Sequence, residues 1–206
     1  MRILFKTNYK QDLNLAKHGG HRFWYGLLIL ILFSAPLILD GYYIGEATRV
    51  LIYAMAGLGL MVVTGFTGQV SLGHAAFLAI GAYTNAWFLA QGFSSFVALP
   101  MAALLSMIGG LLVAIPAARM SGIYLAIATL AFSIIVEDFA GHLNSITGGN
   151  RGMMVDVPML FGYQIWESWE LYLFVLCILV VATLAVLNIL RSPLGRAMIA
   201  VRDSEV

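Results

Sequence analysis

A short polar stretch between two apolar runs holds the side chains best suited to binding chemistry. Gln69, Ser71 and His74 supply hydrogen-bond donors and acceptors there. A polar or charged solute that crosses a membrane needs such partners, because bare charges are costly in hydrocarbon. The stretch also contains glycines, which permit backbone conformations that other residues resist; these are Gly65, Gly68 and Gly73. The pattern predicts a helix break whose polar groups line a path.

The same stretch has a second interpretation. Unsatisfied backbone amides are expensive in a bilayer, so a break at membrane depth must face protein or a water-filled cavity, where half-helix ends can meet a charged substrate. A cytoplasmic turn, in which the polar residues only cap two helices, explains the same sequence equally well. His74 by itself is interpreted as a hydrogen-bonded packing residue rather than as a ligand or a proton carrier.

The composition indicates an integral membrane protein. Of the 206 residues, 61% are hydrophobic and 10% are charged, and the mean hydropathy is +0.92. So few ionisable groups could not cover a soluble globule. Apolar windows of the length needed to cross a hydrocarbon core lie at 23–39, 50–65, 75–90, 96–118, 123–136 and 171–190. We therefore expect an all-α, polytopic transmembrane helix bundle of about six spans, with a Gly-rich break near 65–74.

The basic residues indicate the orientation of the bundle. If every window crosses, nine of the eleven share one side: five precede the first span, one follows the fourth and three follow the sixth. By the positive-inside rule that side is cytoplasmic, and both ends of the chain lie there. The nine are Arg2, Lys6, Lys10, Lys17, Arg22, Arg119, Arg191, Arg196 and Arg202, while Arg49 and Arg151 lie opposite. The formal net charge of +1 gives no reason to invoke nucleic acid as a partner.

These windows divide the chain into three parts. Residues 1–22 form a basic cytoplasmic N-terminus, 23–190 the membrane domain, and 191–206 the beginning of a cytoplasmic helix. Cys177 is alone within an apolar run, so it forms neither an intrachain disulfide nor a thiolate metal site. We expect no metal and no cofactor.

The outer segment, about 141–170, is the only sizeable polar interruption of the membrane domain. Within it, 147–152 (TGGNRG) looks superficially like a phosphate cradle. No Gly-Lys-Ser/Thr follows and no strand precedes, which excludes a P-loop. The stretch is then either a flexible turn or a contact loop for an extracytoplasmic binding protein, with Arg151 as an electrostatic anchor.

Small residues recur along one face of the fifth window, at Gly122, Ala126, Thr129 and Ser133. Such faces let helices approach closely in lipid, so plain bundle packing explains them. Glu137 continues the stripe one turn later, where its carboxylate either reaches the interface or faces an aqueous vestibule. Thr129 and Ser133 are candidate path residues.

A short amphipathic helix is expected after the sixth window. Ser192 can cap it and Pro193 suits its first turn. Leu194, Met198 and Val201 recur at spacings of four and three, so they should form its apolar face. Such a helix either lies on the membrane surface or docks in a groove of a partner protein.

Three segments, in this order, resemble the LivM-type permeases of ATP-binding-cassette (ABC) importers. They are 65–77 (GFTGQVSLGHAAF) with 81–84 (GAYT), 121–132 (SGIYLAIATLAF) with 147–149 (TGG), and 192–197 (SPLGRA) with 202–205 (RDSE). The resemblance runs from about residue 54 onward. It implies a permease for branched-chain amino acids in the bacterial inner membrane. In that family the third segment couples the membrane domain to the ATPase, which here points to Gly195, Arg196, Arg202 and Glu205.

The resemblance also implies partners. These are a second, related permease, two cytosolic ABC ATPase subunits and a periplasmic amino-acid-binding protein, all assembled in the lipid bilayer. ATP hydrolysis then belongs to another subunit, and this chain is expected not to be an enzyme. Because family members continue with further spans beyond the coupling segment, the sequence is expected to be an N-terminal fragment of a longer permease.

Three rival functions remain. Urea or short-amide permeases of the same superfamily resemble this chain in the Gly-x-x-Ser-Leu-Gly-His motif, so such a permease is one alternative. A secondary carrier would be expected to place an ionisable relay within the membrane, for which only His74 qualifies. An intramembrane hydrolase would need a nucleophile and a base, and Ser71 and His74 lack an evident third orienting group.

Overall fold

The computed structural model describes residues 19–117, 119–120, 122–155, 157–160 and 162–203. The predicted basic N-terminus therefore lies largely outside the described residues, and so does Glu205. The helices are α1 Gly19–Ile38, α2 Gly41–Leu60, α3 His74–Ala90, α4 Ser95–Ala117, α5 Ile123–His142, α6 Asn144–Thr147, α7 Ser168–Arg191 and α8 Pro193–Asp203. A π-helical segment, Met61–Phe66, continues α2, and a 3-10 turn spans Gly149–Arg151. Two short antiparallel strands, β1 Met159–Leu160 and β2 Tyr163–Gln164, form a hairpin in the outer segment.

The prediction of an all-α transmembrane bundle is confirmed. Every apolar window falls on a helix, and four helices of the described chain are long and apolar enough to cross a membrane, namely Gly41–Phe66, α4, α5 and α7. The apolar part of α1, Phe23–Ile38, is shorter, and α3 has 17 residues. The number of six spans therefore remains a prediction for these two windows.

The ends of the long helices follow recognisable local signals. α3 ends where Gly92 adopts a left-handed φ of 81° and Phe93 N–H donates to the Phe88 carbonyl at 3.1 Å, as expected of a glycine C-terminus. α7 begins with a capping box between Glu167 and Glu170. α8 begins as predicted, because Leu194 N–H donates to Ser192 Oγ at 3.2 Å.

One group of helices packs around α2 and α7, which run in the same direction. Their shared core contains Ile44, Leu51, Tyr172 and Leu176, each at most 6% exposed. Tyr172 Oη donates a hydrogen bond of 2.9 Å to the Leu32 carbonyl and so attaches α1 to this pair. The phenol thereby keeps a partner inside an otherwise apolar interface.

A second group consists of α3, α4 and α5. The antiparallel pair α3 and α4 makes the most extensive helix contact of the described chain. Small residues permit the approach: Gly109 lies against Ile80, and Ser106 Oγ donates to the Phe77 carbonyl at 3.2 Å. α5 packs on the other side of α3 and runs parallel to it. Most apolar side chains of both groups point outward, with between 6% and 17% of each spanning window buried.

The two groups meet at the irregular segment 67–73, which joins the π-helical end of α2 to α3. The polar stretch singled out in the sequence is thus the junction between the two helix groups. α8 lies against the same end, because it contacts both α7 and the π-helical segment.

Candidate functional site

The helix break begins inside the π-helical segment. Thr64 Oγ1 donates to the Leu60 carbonyl at 2.8 Å, Thr67 Oγ1 donates to the Val63 carbonyl, and Gln69 N–H donates to the same carbonyl at 3.3 Å. These bonds give both hydroxyls and the Gln69 amide a partner within the segment. π-helical turns occur frequently at functional sites.

Gly68 turns the chain at the end of this segment. Its φ is +72°, a left-handed conformation that side chains with a Cβ resist. A Cβ at this position would also lie 2.7 Å from Arg202 Cγ. Both its backbone angle and its surroundings disfavour a side chain at Gly68, while its role in the break stays a prediction.

The other two glycines differ from what the sequence suggested. Gly73 has a φ of −87°, which residues other than glycine also adopt. The prediction that its backbone conformation requires glycine is therefore wrong. Its requirement is steric, because a Cβ would lie 2.9 Å from the Thr129 carbonyl oxygen. Gly65 lies within the π-helical segment, and a Cβ there would meet only Met61 Cγ at 3.7 Å. The Gly65 position therefore has space for a side chain.

Thr129 anchors the end of the break to α5. Leu72 N–H donates to Thr129 Oγ1 at 3.0 Å, and the hydroxyl donates to the Ala126 carbonyl at 3.0 Å. The residue is 6% exposed. Its hydroxyl, predicted to line a path, is thus engaged in holding the break against α5.

An inner cavity of about 530 Å³ adjoins the break. It is lined by residues from α2, the break, α3, α4 and α5, and it brings together Gln69, Ser71, His74 and Thr129. Gln69 and Ser71 are half-buried, and within the described part of the chain their side chains make no hydrogen bond. Their polar groups are therefore available to a ligand or to water in this cavity.

His74 lines the inner cavity, and its ring packs against Gly59 of α2 and Phe77 of α3. A Cβ on Gly59 of α2 would lie 3.2 Å from Cε1 and Nε2 of the ring. The ring also meets Phe77 edge to face, with centroids 6.3 Å apart. These contacts favour packing as the role of His74, but the predicted hydrogen bond is absent, because the ring makes none to the residues that the structure describes.

Ser133 lies in a different cavity. This outer cavity, of about 500 Å³, is bounded by α3, α5 and the turn at 149–152. It also contains Glu137 and Arg151. The predicted path residues are therefore divided between two cavities on either side of the contact between Gly73 and Thr129.

α8 reaches the break through Arg202, whose Nη1 donates to the Gly65 carbonyl at 3.2 Å. The predicted apolar face is only partly right. Met198 is half-buried, but Leu194 and Val201 are 65% and 45% exposed. The buried face is rotated, because α8 packs onto the end of α7.

Gly195 permits that rotation. It is buried, and a Cβ there would overlap the backbone of Leu190. Gly195 therefore positions α8 against α7, whereas Arg196 is exposed.

The turn after α5 is more constrained than a flexible linker. Thr147 is 5% exposed; its hydroxyl is within hydrogen-bonding distance of the Ala140 and Leu143 carbonyls and accepts a hydrogen bond from Gly149 N–H at 3.1 Å. Arg151 follows this turn and is exposed at the opening of the outer cavity. The turn holds Arg151 at a defined place.

The break, α8 and the connection between α4 and α5 share one end of the bundle. Gln69, Ala117 and Leu125 line the same cavity, and Arg202 contacts the break. Arg119 lies in that connection and Arg196 and Arg202 lie in α8, while Arg191 is the last residue of α7, directly before α8. The break therefore lies at the basic end of the molecule.

Comparisons with known proteins identify the family of the chain. The family model described as branched-chain amino acid transport system / permease component matches residues 42–206. The high-affinity branched-chain amino acid transport system permease protein LivM of Salmonella typhimurium is 34% identical over 204 residues, and that of Escherichia coli is 33% identical over 204 residues. Each comparison covers 87% of this chain and 48% of the relative, so the chain spans about half the length of these curated relatives. No solved structure matches significantly. On the match to residues 42–206, this multi-pass membrane protein belongs to the family of branched-chain amino acid transport system permease components.

Proposed function

We propose that the chain is a membrane-spanning permease subunit of an ATP-driven ABC importer for branched-chain amino acids. The observation that carries this proposal is its identity of about one third with LivM permeases along most of its length. The inner cavity beside the break supplies a physical setting for transport, since polar side chains face an otherwise apolar space there.

The break is proposed to line the cytoplasmic half of the path. α5 begins at Ile123 and meets the break at Thr129, six residues or about 9 Å along its axis. The break then enters the bundle from the basic end. This arrangement also accounts for the shortness of α3, because about 9 Å of depth is already crossed before α3 begins. Gln69 and Ser71 would exchange hydrogen bonds with the charged groups of a passing zwitterion.

The orientation and the partners follow from the same proposal. The basic end lies in the cytoplasm of a bacterial cell, the protein spans the inner membrane, and both ends of this chain are cytoplasmic. A second permease subunit, two cytosolic ABC ATPases and a periplasmic amino-acid-binding protein complete the transporter. The binding protein docks on the outer segment, with Arg151 among its contacts.

Coupling is assigned to α8 and the residues after it. Arg196 is exposed at the basic end, while Arg202 on the same helix contacts the break. A force applied to α8 by an ATPase subunit would therefore act directly on Gly65. Gly195 holds the helix in place, and Glu205 is retained as a coupling residue from the family resemblance.

Uptake by the assembled, full-length transporter tests the path. We expect Gln69→Leu to lower leucine uptake at unchanged abundance in the membrane, because it removes polar partners from the inner cavity and keeps a similar volume. Val70→Leu is a matched control, since the adjacent Val70 is 51% exposed and does not line that cavity. Normal uptake by the Gln69 variant would favour the helix-capping interpretation. If the wild type takes up urea or acetamide in preference to leucine, the assignment of branched-chain amino acids as the substrate is wrong.

ATP hydrolysis tests the coupling. Arg196→Glu should lower substrate-stimulated hydrolysis and uptake together, because a reversed charge cannot form the paired hydrogen bonds of a guanidinium with a partner carboxylate. The affinity of the binding protein for free substrate should stay unchanged. Normal coupled hydrolysis in this variant would indicate that α8 anchors the protein to the membrane surface.

A further inference from the structure

The outer cavity combines two opposite charges with an apolar wall. Glu137 enters it from α5, and Arg151 from the turn at its opening. The apolar part of the wall combines small residues, such as Ala76 and Ala79, with the larger Tyr83 and Val136. The volume of about 500 Å³ lies within the range of small-molecule sites, about 300 to 1,000 Å³.

The two charges line the same cavity but are not paired. Glu137 is one helical turn below Gly141, and a Cβ on Gly141 would lie 3.1 Å from Asn150 Oδ1, next to Arg151. Within the part of the chain that the structure describes, neither Glu137 nor Arg151 forms an ion pair. The neighbouring acid Asp138 differs, because it contacts His142 at 3.4 Å. An acid and a base at one cavity, each without an internal partner, can both be satisfied by a ligand that carries the two opposite charges.

A third polar group lies deeper in the same cavity. Ser133 is one turn below Glu137, and its Oγ is buried without a hydrogen-bond partner among the described residues. A buried hydroxyl that makes no bond costs about 1 to 3 kcal/mol, so such a group calls for an explanation. A polar ligand, or water that accompanies it, would supply the missing bond.

From these observations we propose that the outer cavity is a binding site for a zwitterionic amino acid. Glu137 faces the ammonium group, Arg151 faces the carboxylate, and the apolar part of the wall accepts the apolar side chain. The guanidinium suits this role because its fork matches the two oxygens of a carboxylate. This assignment rests on the proposed function and deepens it, since it locates substrate recognition above the inner cavity. It assigns Arg151 to the substrate and, for this residue alone, replaces the docking contact proposed above.

The test uses the full-length transporter in nanodiscs without its binding protein, with saturation-transfer NMR to measure ligand affinity. Three probes separate the charges: leucine, isopentylamine, which lacks the carboxylate, and 4-methylpentanoate, which lacks the ammonium. Glu137→Gln should weaken leucine and isopentylamine by about tenfold or more and leave 4-methylpentanoate unchanged. Arg151→Gln should weaken leucine and 4-methylpentanoate to a similar extent and leave isopentylamine unchanged. Asp138→Asn and Arg49→Gln are matched controls, because each alters an outer charge that is partnered elsewhere.

The crossed pattern separates the site from general damage. Three results would overturn the site. They are an equal loss of affinity for all three probes in both variants, unchanged affinities in both variants, and no binding of any probe by the wild type. An effect of Arg151→Gln only on the concentration of binding protein needed for uptake would also overturn it and would favour docking. Leucine uptake by the wild-type transporter in proteoliposomes, with its binding protein and ATP supplied, distinguishes the two proposals. Uptake without the crossed pattern refutes the site alone, whereas absence of branched-chain amino acid uptake refutes the proposed function and the site with it.

Discussion

Gly73→Ala probes the contact that fixes the start of α3. A Cβ at this position would lie 2.9 Å from the Thr129 carbonyl oxygen and 3.1 Å from Thr129 Cβ. Carbon atoms in comfortable contact are about 3.5 to 4.0 Å apart. Either the break or the backbone of α5 must therefore move by roughly half an ångström, and the movement strains the hydrogen bond from Leu72 N–H to Thr129 Oγ1.

The expected cost follows from the kind of atom that is met. The neighbour is helix backbone, which cannot rotate away as a flexible side chain would. Forced insertion of a methyl group into a packed site costs about 1 to 3 kcal/mol. At about 2 to 4 °C of melting temperature per kcal/mol for 150 to 250 residues, and less per kcal/mol in a longer chain, the midpoint should fall by a few degrees. Gly65→Ala is the matched control, because its Cβ has space and alanine stabilises a helix relative to glycine by about 0.5 to 1 kcal/mol.

The assay is thermal unfolding of the full-length, detergent-solubilised permease, followed by the loss of monodisperse protein in size-exclusion chromatography. We expect Gly73→Ala to melt below the wild type and Gly65→Ala to melt at or above it. Leucine uptake by the Gly73 variant should fall at the same time, because the displaced break alters the inner cavity. Equal or higher stability of Gly73→Ala, or the opposite order of the two variants, would refute the close packing of the break on α5.

Three further predictions concern α8 and the orientation. Arg202→Ala should lower coupled ATP hydrolysis and uptake severalfold in the assembled transporter, because it removes the hydrogen bond to the Gly65 carbonyl. Unchanged hydrolysis and uptake would show that this hydrogen bond does not couple α8 to the break. Gly195→Ala should displace α8 from α7 at a cost of about 1 to 3 kcal/mol, seen as faster limited proteolysis after α7; wild-type cleavage rates would contradict the tight packing. A cysteine at Ser192 should be labelled from the cytoplasmic side and one at Asn150 from the external side. Labelling of the Asn150 cysteine only from the cytoplasm would contradict the predicted orientation.

The sequence alone was sufficient for the class of the protein and the position of its helices. Hydrophobic windows predict membrane helices because each span must bury its backbone polar groups within itself, and this requirement is local. The cap at Ser192 is likewise local, since it depends on a hydroxyl two residues before the amide of Leu194. The break near 65–74 was visible for the same reason, from glycines and polar residues between apolar runs.

The tertiary structure decided which of those residues meet. Arg202 and Gly65 are 137 positions apart, and no periodicity within one helix can indicate a contact between two. Gly73 could not be told from Gly68 in the sequence, because one is required by a neighbouring helix and the other by its own backbone angle. The separation of Ser133 from Gln69, Ser71 and His74 also depends on how α3 lies against α5. Periodicity specifies the face of a helix, but only packing in three dimensions determines what that face contacts.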